Sequence, residues 1–213
     1  LLHHLIFALL FALLVATDIY LGSTSYAAFR IISKPLILIF LILYFLQYKK
    51  GIEDSISKHI FIALVFSFLG DIFLLFDHLS VLYFILGLGS FLGAHVFYAF
   101  GFYQQGATKV KFDFWFAAIF LSIYGVALYS SLYANLGSIK IPVAVYVLVI
   151  LLMAIMAYKR KGNVSDSSFL FVFIGALSFI LSDSVLAINK FLTPLPYTNF
   201  LVMGSYATAQ YLI

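Results

Sequence analysis

Two carboxylates stand where the surrounding sequence offers them little water. Asp71 lies in FSFLGDIFLLF, residues 66–76, and Asp183 in FILSDSVLAI, residues 179–188, each among side chains that are otherwise apolar or small. Burying an isolated ionised carboxylate is costly, so acids in such runs usually face the interior of a helix bundle and serve a function. Two neighbouring carboxylates in a medium of low dielectric share a proton more readily than they both ionise. One residue type then supplies both a general acid and a general base. The structural alternative is a pair of hydrogen-bonding groups that tie helices together, one of them paired with Lys34.

Other polar side chains fall in the same kind of surroundings. Lys34, in SKPLI, is the cation available to the acids, and Pro35 beside it removes a backbone donor and can free a carbonyl. The opposing reading is a lysine that snorkels to the outer head groups. His95, in GAHVFY, can donate to a phosphate, shuttle a proton, or simply pack as a neutral imidazole. Tyr98, Tyr206 and Gln210 can hydrogen-bond a polar ligand or bridge helices. Ser67 and Ser182 stand near the carboxylates and can orient them, although helical serines also bond their own backbone.

Several chemistries lose their usual support. The chain contains no cysteine, which removes disulfides, thiolate metal sites and cysteine nucleophiles. It has no Gly-x-Ser-x-Gly elbow, Walker loop or His-Glu-x-x-His helix, and GLGSFLG, residues 87–93, follows no strand. A zinc site built from His95 and the two aspartates would lack a further nameable ligand, so neither a metal nor another cofactor is expected. Gly89 and Gly93 form a small-xxx-small spacing that lets a helix approach its neighbour closely.

The elements that must position these residues are membrane helices. The 213 residues are 65% hydrophobic and 9% charged, with a mean hydropathy of +1.14, against roughly 25% charged residues in a soluble domain. Apolar runs of about the ~20 residues that span a bilayer lie near 3–20, 28–47, 59–76, 80–102, 114–133, 141–158, 168–188 and 197–213. The expected fold is all-α: a polytopic bundle of eight transmembrane helices forming a single integral membrane domain over 1–213. The first run has no basic leader and no Ala-x-Ala-like site, so it reads as a span and not as a cleaved signal.

The net charge of +4 is distributed unevenly. Loops after the second, fourth and sixth runs hold Lys49, Lys50 and Lys58, then Lys109 and Lys111, then Lys159, Arg160 and Lys161, whereas the opposite loops hold little beyond Arg30, Lys140 and Lys190. The positive-inside rule then places both termini in the cytoplasm, and these charges read as topology signals with no nucleic-acid partner.

The halves also resemble one another. FLGDIFLL aligns with ILSDSVLA around the two aspartates, and GSFLGAH, residues 89–95, with GSYATAQ, residues 204–210. A four-plus-four duplication, with halves near 1–110 and 111–213, gives both copies one orientation and makes the two acids candidates to face each other. At 1.5 Å per residue, Asp71, Asp183 and Lys34 come at roughly 18, 22 and 20 Å from the cytoplasmic edge of the apolar core, with His95 and Gln210 nearer 10 Å.

Five stretches, KPL at 34–36, SFLGDIFLL at 67–75, LGSFLGAHVFY at 88–98, GALSFILSDSVLAINKF at 175–191 and YATAQYLI at 206–213, together resemble the YhhN-like lysoplasmalogenase family of eight-helix membrane proteins. The resemblance implies hydrolysis of the vinyl ether bond of lysoplasmalogens to a fatty aldehyde and glycerophosphoethanolamine or glycerophosphocholine. A lysophospholipid substrate among membrane lipids is then the expected partner, with no protein partner, and the expected location is a bacterial inner membrane. Vinyl ethers yield to acid, which suits two carboxylates that divide the work as in glycoside hydrolysis. Asp71 and Asp183 are the expected catalytic pair, with Lys34 and His95 positioning phosphate or water. The main competing reading is a proton-coupled transporter using the same acids, which predicts paired helix interruptions; beyond Pro35 and Pro142 none is apparent. An intramembrane aspartyl protease and a non-catalytic lipid binder are further alternatives, the former weakened because FLGD lacks a Gly-x-Gly-Asp pattern.

Overall fold

The computed structural model describes residues 2–109 and 111–213. Among these residues the chain forms eight α-helices: α1 (Leu2–Gly22), α2 (Arg30–Tyr48), α3 (Asp54–Leu75), α4 (Val81–Gln104), α5 (Phe112–Leu132), α6 (Lys140–Lys159), α7 (Asp166–Phe191) and α8 (Thr198–Leu212). Helices are what lipid demands, because a backbone without water must satisfy its polar groups within its own segment. Among the described residues, seven helical segments are long and apolar enough to cross a membrane, and α8 has 15 residues. The chain is a multi-pass helical membrane protein. The largest departure from the expected boundaries is α3, which starts at Asp54 and not at 59. The polar stretch Ser57-Lys58-His59 is helical because Ile56 and Ile60 already pack inward around it, while His59 Nδ1 stands 2.6 Å from the Ser55 carbonyl oxygen.

The chain divides into two compact units, one running to Phe97 and the other starting at Tyr98, inside α4. In the first unit α2 packs against α1 and α3. The buried side of α3 runs through Ile56, Ile60, Ala63, Leu64, Ser67, Gly70 and Asp71, a three-to-four-residue stripe that ends on the carboxylate. On α2 the buried residues are Ser33, Lys34, Ile37, Leu38 and Leu41, and on α1 they are Phe7, Phe11 and Asp18. Polar groups thus extend apolar stripes toward one end of each of these three helices.

Phenylalanines settle into glycine sockets between α3 and α4. A Cβ added to Gly70 would stand 2.7 Å from the Phe91 ring, and one added to Gly93 would stand 2.9 Å from the Phe66 ring. Gly93 therefore makes the close approach expected of it, but Gly89 does not, since nothing lies within 4 Å of the Cβ it would gain. The glycine of the GD motif has a physical reason: a larger residue at 70 would push away the ring that covers the helix beside Asp71.

In the second unit α6 packs on α5 and α7, and α7 packs most extensively on α8. Gly175 allows the α7–α8 approach, because a Cβ there would meet the Ala209 carbonyl oxygen at 3.1 Å and Ile213 Cγ1 at 2.9 Å. Backbone moves less readily than a side-chain tip, so Gly175→Ala is expected to destabilise the protein by about 1–3 kcal/mol. Thermal unfolding of the two proteins in one detergent reads this, and unchanged melting would refute the packing argument. The turn between α7 and α8 is held by Asn189, whose Oδ1 accepts from Leu195 N at 3.0 Å and Thr198 Oγ1 at 2.8 Å. These bonds stabilise a turn in which Tyr197 takes a left-handed φ of 56°.

Candidate active site

The first unit gathers charge at the end where α1 and α3 finish and α2 begins. Asp71 is 1% exposed, and Lys34 Nζ lies 3.2 Å from its Oδ1. Lys34 is itself 9% exposed, so of the two sequence readings the structure shows the ion pair. Helix α2 continues through Pro35 without a break. Because proline has no N–H, the Ile31 carbonyl one turn earlier lacks its usual i+4 donor.

One turn from Lys34 on α2 is Arg30, whose partner escaped the sequence reading. Asp18, fully buried near the end of α1, accepts from Arg30 Nη2 at 2.9 Å, from Arg30 Nε at 3.3 Å and from Ser33 Oγ at 2.6 Å. The signal was a lone carboxylate in LLVATDIYLG, residues 13–22, matched by an arginine opening the next apolar run. Arg30 and Lys34 form two successive ion pairs and border a cavity of about 460 Å³, together with Asp77 and His78 from the turn after α3. That volume is within the roughly 300–1,000 Å³ of small-molecule sites.

Ser67 sits one turn before Asp71 on the same stripe. A helical serine ordinarily bonds the carbonyl one turn back, but Ser67 Oγ is buried and has no hydrogen-bond partner among the described residues. It is a donor and acceptor available beside the carboxylate. His95 is fully buried in the part of α4 that belongs to this unit.

The second unit surrounds Asp183 differently. Tyr146, on α6, donates its hydroxyl to Asp183 Oδ2 at 2.5 Å. Tyr124 donates to Ser184 Oγ at 2.7 Å, and Ser184 in turn donates to the Ile180 carbonyl at 2.6 Å. Ser182 donates across to the Val202 carbonyl of α8 at 3.1 Å, so its hydroxyl joins two helices. Tyr146 went unrecognised because nothing in KIPVAVYVLVI, residues 140–150, distinguishes its tyrosine from an interfacial aromatic.

Tyr98, Tyr206 and Gln210 come together in this unit. Tyr98 donates to Gln210 Oε1 at 2.7 Å and Gln210 Nε2 donates to the Tyr206 hydroxyl at 3.2 Å, all three side chains being buried. Tyr98→Phe strands a buried amide oxygen and is expected to cost about 1–3 kcal/mol. Thermal unfolding in detergent reads this loss, and wild-type stability in the variant would show that the bond contributes nothing net. Arg160 also proves to be more than a surface charge. It is buried, bonds Gln105 Oε1 at 2.8 Å and Ser168 Oγ at 2.8 Å, and ties the ends of α4 and α6 to the start of α7. Burial pulls its guanidinium down to about 10, so it stays cationic at neutral pH.

Among the described residues no three His or carboxylate side chains gather as ligands for one metal ion. The arrangement is that of a membrane-embedded helical protein with carboxylates within its helices, Asp71 buried against a cation and Asp183 half-buried against a phenol. A family model described as the YhhN family matches residues 29–213, and the chain belongs to that family. It is similar to lysoplasmalogenase TMEM86A of Homo sapiens, 35% identical over 161 residues that cover 74% of this chain and 64% of that protein. TMEM86A of Bos taurus is 34% identical over 163 residues, with the same two coverages. Lysoplasmalogenase TMEM86B of Homo sapiens is 32% identical over 157 residues, 71% of this chain and 59% of that protein. The chain thus spans less than two thirds of the length of these relatives. No solved structure matches it.

Proposed function

We propose that this protein hydrolyses the vinyl ether bond of a lysoplasmalogen, releasing a fatty aldehyde and a glycerophosphodiester. The observation that carries the reading is the buried Lys34–Asp71 ion pair, with Lys34 lining a cavity that it shares with Arg30, Asp77 and His78, in a chain whose curated relatives are named lysoplasmalogenases.

The reaction divides between two carboxyl groups. One delivers a proton to the β-carbon of the vinyl ether, leaving an oxocarbenium ion. The other, as carboxylate, stabilises that cation and accepts a proton from the water that captures it. The resulting hemiacetal collapses to aldehyde and alcohol. The pair is Asp71, which lies against the Lys34 ammonium, and Asp183, which accepts a hydrogen bond from the Tyr146 hydroxyl. Ser67 and His95 are assigned to water or to the head-group phosphate. Tyr98, Tyr206, Gln210 and Ser182 keep the polar interior of the second unit in register. The resemblance between halves is read as a four-plus-four duplication. The termini are assigned to the cytoplasmic side of a bacterial inner membrane, which puts the cavity on the opposite face.

The deciding experiment incubates purified protein in detergent with a lysoplasmalogen and with the matching saturated alkyl-ether lysolipid, following aldehyde by mass spectrometry. Aldehyde from the vinyl ether alone is the expected result. A folded protein that releases none refutes the hydrolase reading.

A further inference from the structure

In the second unit the loop from α4 to α5 and the end of α6 bring four lysines round one shallow depression. Lys109, Lys111, Lys159 and Lys161 line it, with Asp113 as its one carboxylate. Its volume of about 10 Å³ is too small to enclose a molecule, so the feature is a surface. The frame that carries the lysines is fastened. Ala107 N donates to the Lys159 carbonyl at 3.0 Å, Asn163 Nδ2 to the Gln105 carbonyl at 2.9 Å, and Arg160 Nε to Gln105 Oε1 at 2.8 Å. Lys159 holds its ammonium over the Tyr103 ring, 4.4 Å from the centroid. Asp113 is engaged by Lys161 and by the Tyr158 hydroxyl. Among the described residues no carboxylate pairs with Lys109, Lys111 or Lys159, and the first two are exposed.

Large apolar rings continue this surface along α5. Phe112, Trp115 and Phe116 are 76%, 56% and 63% exposed, and Trp115 comes about one turn in from Lys111. A soluble anion would use the lysines and ignore the rings. A phospholipid uses both, with its phosphate at the ammonium groups and its chains along the aromatic side chains. The loop charges assign this end to the cytoplasmic side, where a membrane leaflet carries anionic lipid and basic sites between helix ends bind it. We propose that this end of the second unit is a docking surface for an anionic diacyl phospholipid of the surrounding bilayer, held by Lys109, Lys111 and Lys159. The proposal needs the chain to lie in a bilayer and is independent of the hydrolase reading.

Trp115 is the single tryptophan of the chain, so its fluorescence reports the lipid beside this surface. The purified full chain is reconstituted in vesicles of phosphatidylcholine and phosphatidylglycerol, with quenching bromine atoms on the acyl chains of one lipid or the other. The wild type is expected to prefer phosphatidylglycerol at Trp115 by about fivefold, the contribution of one lysine near an anionic surface. Lys109→Gln, Lys111→Gln and Lys159→Gln together should bring the preference close to unity. Asp113→Asn should raise it, because it removes the one negative charge and releases Lys161 for a phosphate. Lys49→Gln, Lys50→Gln and Lys58→Gln together remove as much charge from loops of the first unit and should leave the preference unchanged. Melting curves in detergent check that each variant is folded, and Asp113→Asn keeps the proposal testable should the triple substitution at the surface fail to fold. Equal quenching by both lipids in the wild type overturns the proposal. So does an Asp113→Asn variant with the wild-type preference, or a preference that the first-unit substitutions abolish. None of these lipids carries a vinyl ether, so the outcome is separate from any aldehyde release.

Discussion

Asp71→Asn and Asp183→Asn are each expected to reduce aldehyde release from a lysoplasmalogen by about a hundredfold or more, the scale on which proton transfer by a positioned side chain contributes. Asparagine keeps the size of the side chain and can still hydrogen-bond, but it can neither deliver a proton nor take one from water. The two losses should not add, because groups that act on one substrate fail together; the double variant should resemble the weaker single variant. The Asn side chain at 183 can still accept from the Tyr146 hydroxyl, so the fold around it should hold. Turnover measured on each folded variant decides the matter. Substantial activity in the double variant would remove both acids from the mechanism and leave the cleavage to other groups.

The second large effect concerns stability. Lys34→Met removes the cation 3.2 Å from Asp71 and leaves a buried carboxylate without it. Breaking a buried pair on one side costs about 3–5 kcal/mol, whereas replacing both members with neutral groups costs far less, because the penalty lies mainly in the stranded charge. Lys34→Met should therefore unfold at a much lower temperature than wild type in the same detergent, and Lys34→Met combined with Asp71→Asn should recover most of the difference. Asp71→Asn alone should be milder, since the lysine stem is long enough to carry its ammonium toward the cavity. If Lys34→Met melts like the wild type, the pair contributes nothing to the fold. If it melts low and the second substitution does not rescue it, the loss comes from packing of the lysine stem and not from charge.

These effects involve residues whose visibility in the sequence differed. Asp71 and Asp183 were legible because an acid in an apolar run is conspicuous whatever surrounds it in space. Lys34 was legible as a cation at the same estimated depth and as a candidate partner of the acids, but not as the partner of Asp71 in particular, since snorkelling and pairing leave the same one-dimensional trace. The Asp18–Arg30 pair was hidden because both residues lie near helix ends, where charges ordinarily signal orientation. Gly93 met the close approach its spacing suggested, yet Gly89 did not, because small-xxx-small names a helix face without saying whether a neighbour lies against it.

The sequence by itself determined that the chain is a bundle of membrane helices, where those helices run, that two acids lie within them, and which family it belongs to. These follow from local quantities: the length of apolar runs, the scarcity of charge, and the residues inside short motifs. Only the tertiary structure decided that Asp71 meets Lys34, that Asp183 meets Tyr146, that Asp18 holds Arg30, and that Arg30 and Lys34 share a cavity with Asp77 and His78. The reason is physical. A membrane helix is apolar on nearly every side, so its hydropathy pattern scarcely says which face turns inward. That choice is made by side chains fitting one another, Phe91 over Gly70 and Phe66 over Gly93, and the polar partners then follow from the rotation this packing imposes.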